Sequence, residues 1–174
     1  LPASVPLTGG NIHSLAICSL CNDVFAWGNN GNGQLGDGTL TERHTRVLTK
    51  ITGINSVSAG YSHSMALKSN GTVWAWGYNG YGQLGDATYV EKTTPVQVNG
   101  LTGTAIALAT GTYHSLSLKG NGTVWAWGYN GYGQLGDGTN TQRNTPVQVN
   151  GLSGIIAIAA GYYHTLSLKS DSTV

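Results

Sequence analysis

The strongest constraint in this sequence is a unit that returns after a nearly fixed interval. The stretch 124–139 reads Val-Trp-Ala-Trp-Gly-Tyr-Asn-Gly-Tyr-Gly-Gln-Leu-Gly-Asp-Gly-Thr, and it recurs almost unchanged at 73–88. A looser copy at 24–39 has Phe25 for the first Trp, and Asn29 and Asn32 for the tyrosine pair. A second marker, Gly-x-x-His-Ser/Thr-Leu/Met-x-Leu/Ile, precedes each copy. It sets His13, His63, His114 and His164 at spacings of 50, 51 and 50 residues. Such a period belongs to architectures whose units cannot bury their apolar faces alone and must stack.

The marker divides the chain into units 10–59, 60–110 and 111–160, with partial units at 1–9 and 161–174. Leu7 falls three residues before its marker glycine, as Val57, Leu108 and Ile158 do. Within one unit every apolar run reads as a strand. Ile106-Ala107-Leu108-Ala109 is short and is broken by Gly111. His114–Lys119 alternates with period two, Leu116 and Leu118 sharing a face. Asn121-Gly122 signals a hairpin, because Asn-Gly readily takes positive φ. Val124-Trp125-Ala126-Trp127 offers apolar groups to both faces, which suits a sheet covered on both sides. A glycine-rich loop leads to Thr145-Pro146-Val147-Gln148-Val149, a strand opened by proline. The 27 glycines therefore punctuate strands rather than mark disorder. Four short antiparallel strands per unit, apolar on both faces, predict an all-β fold, a β-propeller of four-stranded blades.

The markers quoted above, together with Asn-Gly-Thr-Val-Trp-Ala-Trp-Gly and Asn-x-x-Gly-Gln-Leu-Gly-Asp-Gly, resemble the repeat of the regulator of chromosome condensation family. The resemblance covers essentially the whole chain. It implies a propeller, usually of seven blades, whose members act mostly by binding proteins. The regularity of the units resembles bacterial members, such as the propeller-type β-lactamase inhibitory protein, more than the eukaryotic nucleotide exchange factor. Three whole units and part of a fourth make about half of such a ring, a partial propeller with apolar faces at both ends. The opening Leu1-Pro2-Ala3-Ser4, with neither an initiating Met nor a signal pattern, reads as the start of an excised piece. The ring is then completed either by further repeats or by a second copy in a homodimer.

Function classes narrow by elimination. A net charge of +1 with only 9% charged residues provides no basic face for nucleic acid. No run approaches the length of a membrane span. The four marker histidines occupy equivalent places in separate units, too dispersed for one metal, so they read as hydrogen-bonding groups toward a neighbouring loop. Asp37, Asp86 and Asp137 occur once per unit and read as turn formers. The glycine-rich loops lack the lysine and following helix of a phosphate cradle. Cys18 and Cys21 lack a second ligand pair, which leaves free thiols or a local disulfide. No cofactor, metal or catalytic cluster is implied, and the chain reads as a non-enzyme. Recognition is expected where the units differ and where tyrosines cluster. The candidates are Tyr78, Tyr81, Tyr129 and Tyr132 in the glycine-rich turns, with Arg43, His44, Glu91 and Arg143 in the polar loops. A protein partner is the first reading, and a carbohydrate or small ligand held on Tyr/Trp surfaces is the alternative.

Overall fold

The computed structural model describes residues 7–18 and 20–174, so most of the partial unit 1–9 and one residue of the Cys18–Cys21 turn lie outside the described residues. The first sheet holds β1 (Leu7–Gly9), β2 (His13–Ile17), β3 (Asp23–Gly28) and β4 (Arg43–Thr52). The second holds β5 (Ile54–Ala59), β6 (His63–Lys68), β7 (Val73–Gly77) and β8 (Lys92–Gln97). The third holds β9 (Ala105–Thr110), β10 (His114–Lys119), β11 (Val124–Gly128) and β12 (Arg143–Gln148). A fourth sheet pairs β13 (Ile155–Ala160) with β14 (Thr165–Lys169). Each sheet is an antiparallel meander, and the architecture is the expected partial propeller of about three and a half blades. Among the described residues no helix is long and apolar enough to cross a membrane.

Each blade begins one strand ahead of the sequence unit. The apolar run before the marker glycine pairs with the strand after it, so Leu7 lies opposite Ala16 in the first blade. Register is then the same from blade to blade. His63, Ser64 and Met65 face Gly77, Trp76 and Ala75, as His114, Ser115 and Leu116 face Gly128, Trp127 and Ala126.

Stacking follows from the two apolar faces. Trp76 reaches into the first blade and packs among Leu15, Leu35 and Ile51, while Trp127 reaches into the second and packs among Met65, Leu84 and Val98. Both indoles are wholly buried. The other aromatic of each pair carries a cation on its ring face, Arg46 over Phe25, Lys68 over Trp74 and Lys119 over Trp125.

The first strands, β1, β5, β9 and β13, lie next to one another in succession, and the marker glycines line a recess of about 260 Å³ between them. Bare backbone is required there. A Cβ on Gly111 would sit 2.7 Å from the Gly161 carbonyl oxygen and against the His114 ring.

The hairpin expected at Asn-Gly is present in a slightly different form. Only Gly71 and Gly122 take positive φ, and the asparagines keep ordinary backbone while accepting from Thr72 and Thr123. The first blade turns here without glycine and with one residue more: the Cys18 amide bonds the Asp23 carbonyl where the Lys68 amide bonds that of Thr72, Asn22 stands at φ 55°, and Cys18 and Cys21 are disulfide-bonded across the turn. Of the two readings left open for these cysteines, the structure takes the local disulfide.

Candidate functional site

The marker histidines join blades rather than line a site. His13 Nε2 lies 2.8 Å from Ser64 Oγ, His63 Nε2 3.0 Å from Ser115 Oγ, and His114 Nε2 3.3 Å from Thr165 Oγ1. Each hydroxyl donates its single proton to a glycine-loop carbonyl at 2.8 Å, that of Gln34, Gln83 or Gln134. The imidazole must therefore be the donor, so all three rings carry the proton on Nε2. Their Nδ1 atoms are buried without a partner. Burial lowers the imidazoles to about 4, 3 and 4 for His13, His63 and His114. The neighbour they bond is a strand of the next blade, not the loop expected from sequence.

The glycine-rich loops are built around one buried asparagine each. Asn130 Nδ2 donates to Asp137 and to the carbonyls of Thr139 and Thr141, while its Oδ1 accepts from the Leu135 amide. Asn30 and Asn79 make the same set in their own loops. Asp37, Asp86 and Asp137 close the loops by pairing with Arg43 at 2.8 Å, Lys92 at 3.4 Å and Arg143 at 2.7 Å. Burial pushes these carboxyls up, but hydrogen bonds from the loop Thr and Asn and the partner cation outweigh it and hold them below their ordinary value.

Among the sequence candidates, Arg43 and Arg143 are thus tied to their own loops. His44 stands in solvent 3.3 Å from Glu42, and Glu91 accepts from Asn32 of the neighbouring blade at 3.1 Å. The structure brings together the four tyrosines. Tyr78 and Tyr129 fold back over Gly80 and Gly131, where any side chain would collide with the ring. Tyr78 contacts Tyr81 at 6.1 Å between centroids, Tyr81 contacts Tyr129 at 5.0 Å, and Tyr129 contacts Tyr132 at 6.1 Å.

Four further tyrosines, not singled out from sequence, extend this row. Tyr113 meets Tyr61, Tyr78 and Tyr81 at 5.8, 6.0 and 5.0 Å. Tyr163 meets Tyr129, Tyr132 and Tyr162 at 5.9, 4.9 and 4.5 Å. All four lie in the two positions between marker glycine and histidine, which read Asn-Ile, Tyr-Ser, Thr-Tyr and Tyr-Tyr along the chain. Variation in an otherwise constant marker was the available signal. The eight rings form one connected stripe across three blades, neighbouring rings tilted by 47–89° to one another. Burial raises the hydroxyls of Tyr78, Tyr113 and Tyr163, with neighbouring tyrosines adding to it, so they remain neutral hydrogen-bonding groups at pH 7.

Residues 22–67, 70–118 and 121–168 match the model of the regulator of chromosome condensation (RCC1) repeat. The chain is 36% identical over 156 residues to human E3 ubiquitin-protein ligase HERC2, covering 86% of this chain and 3% of the relative. It is 38% identical over 148 residues to human probable E3 ubiquitin-protein ligase HERC6, covering 81% of this chain and 14% of the relative. The chain thus spans a small part of these relatives. Among solved structures it is similar to yeast RCC1 (Prp20) bound to Kap60, at 23% identity and a TM-score of 0.82 over 96% of this chain and 42% of that one. A structure of Prp20p from Saccharomyces cerevisiae, described with its binding to Gsp1p and histones, gives 22% and 0.79 over 95% and 44%.

Proposed function

The chain belongs to the regulator of chromosome condensation repeat family, and on that premise we propose that it is a non-catalytic protein-interaction module whose recognition surface is the tyrosine stripe. The observation that carries this reading is the continuity of eight aromatic rings over three blades. Tyrosine gives large contact area at low entropy cost, and its hydroxyl pairs with exposed peptide groups. Rings tilted against one another present an uneven surface rather than one flat face, which suits the side chains of an extended segment better than the flat face of a sugar. Tyr132 and Tyr162, 69% and 57% exposed, mark the accessible end of the stripe. Peptides selected from a random library on the whole chain should bind at least ~10-fold more weakly to Tyr81→Ala/Tyr129→Ala, the loss expected for anchor residues. Equal binding by wild type and variant would sink the stripe as the recognition surface. Glycan-array binding lost in the same variant would favour the carbohydrate reading instead.

The second part of the proposal is closure of the arc by another copy. In the first blade Leu7, Ala16, Phe25 and Leu48 stand in one cross-strand row. The equivalent Val57, Ala66 and Trp74 of the second blade pack onto the first. Leu7 and Leu48 remain 59% and 53% exposed, and Leu166 at the other end 50%. Burying such rows contributes about 25 cal/mol per Å², and a symmetric pair is the commonest assembly. Light scattering at micromolar concentration is expected to give twice the 18.1 kDa chain mass, and a monomer would rule this part out.

A further inference from the structure

We propose that the cleft beside the end of β10, where the connection from the second blade enters the third, binds a carboxylate through the ammonium of Lys119. The tyrosine stripe lies beside the start of β10, so this site stands apart from it.

Lys119 is only 5% exposed, yet none of the ion pairs among the described residues includes it. Its Nζ has the face of Trp125 at 3.8 Å, and the two residues form the inner wall of an open cleft of about 510 Å³. That volume is within the range of small-ligand pockets. Trp125 Nε1 is buried without a partner, whereas its counterpart in the second blade, Trp74, donates to Thr72. Ammonium and indole are donors only, so the inner wall holds a positive charge and no acceptor to meet it. Thr102, Thr104 and Asn121, all exposed, stand at the mouth. Asp86, which shares the adjoining cleft with Thr102, is already paired with Lys92 at 3.4 Å.

One extra residue shapes this place. Across the ladders Lys68 lies opposite Ile54, Lys119 opposite Ala105 and Lys169 opposite Ile155. A glycine directly precedes Ile54 and Ile155, but Thr104 separates Gly103 from Ala105. The Gly120 amide then bonds the Thr104 carbonyl, where Ser69 and Ser170 bond those of Gly53 and Gly154. Gly103 is left outside the ladder beside Lys119, and a Cβ on it would stand 4.0 Å from the lysine Cδ. Lys119 is buried, while Lys68 and Lys169 are half-buried. A buried ammonium without an anion is costly, and an entering carboxylate neutralises it. A single positive charge matches one carboxylate, whereas a doubly charged phosphate leaves net charge in the cleft. Burial also holds the Lys119 ammonium below its ordinary pKa, and a bound carboxylate opposes that shift. A free short-chain acid and an acidic side chain of a partner protein supply the same chemistry.

The test follows the whole isotope-labelled chain by NMR at constant ionic strength. It is titrated with butyrate and with capped Ala-Glu-Ala, and with butanol and capped Ala-Gln-Ala as uncharged controls. Saturable shifts are expected at the Lys119 and Trp125 side chains with the two carboxylates and not with the controls. Tighter binding of butyrate would assign the site to a free acid, and tighter binding of the tripeptide to an acidic side chain. Lys119→Met keeps an apolar stem over Trp125 and is checked for an unchanged melting curve. It should weaken binding at least ~10-fold, as the loss of a charge-assisted hydrogen bond implies. Deleting Thr104, which gives this connection the Gly-to-ladder spacing of the other blades, should also weaken binding, while Lys68→Met should leave it intact. Shifts that never saturate, equal shifts with the controls, or undiminished binding to the Lys119→Met chain would overturn the proposal.

Discussion

Trp127→Ala is expected to lower the unfolding free energy by about 3–5 kcal/mol, and Trp76→Ala by a similar amount. Each indole fills the space between two blades, is wholly buried, and satisfies a loop carbonyl through Nε1. Removal leaves a cavity between stiff sheets that cannot collapse onto it. Trp27 occupies the same position in the first blade, yet it is only partly buried, because no described blade precedes it. Trp27→Ala should therefore cost much less. Urea unfolding followed by circular dichroism separates the two classes. Equal losses for Trp27 and Trp127 would show that the indoles do not stabilise through inter-blade packing.

Acidification should be as damaging as either tryptophan change. Lowering the pH from 7 to 5.5 is expected to remove about 4 kcal/mol of stability, with nearly one proton per buried histidine taken up on unfolding. The folded imidazoles sit at about 4, 3 and 4, against an ordinary value of 6.5. Between those limits the unfolded chain binds protons that the folded chain refuses, so stability is whole above pH 6.5 and falls as pH drops. The loop carboxylates act in a lower window. Asp37, Asp86 and Asp137 are held below their ordinary value, so their contribution persists until the pH falls under about 4. His63→Gln should remove about a third of the slope between pH 7 and 5.5. Urea midpoints that stay constant over that range would show that the three rings are not buried in neutral form.

Strands and turns were legible in the sequence because their causes are local. Alternation in His114–Lys119 sets a face, and glycine at 71 or 122 permits the turn, whatever lies elsewhere in the chain. Near-identical units then required near-identical blades, which carried the fold class without any long-range information. The disulfide of Cys18 and Cys21 was one of two local readings for the same reason. Pairing of Asp137 with Arg143, only six residues on, was also within reach. A charge in a polar loop, however, reads from sequence first as solvated.

The candidate site was half legible, and the division follows sequence distance. Tyr78, Tyr81, Tyr129 and Tyr132 announce themselves by repeating inside one motif. Tyr113 and Tyr163 belong to a different stretch, and they join the stripe only because the loop of one blade rises against the marker turn of the next. The partners of His13 and His63 are likewise found one blade away, at Ser64 and Ser115. From the sequence alone came the strands, their turns and the need for each blade to stack on another. Which side chains meet across the stack was decided by tertiary structure, since close packing between sheets depends on residues that the chain itself keeps far apart.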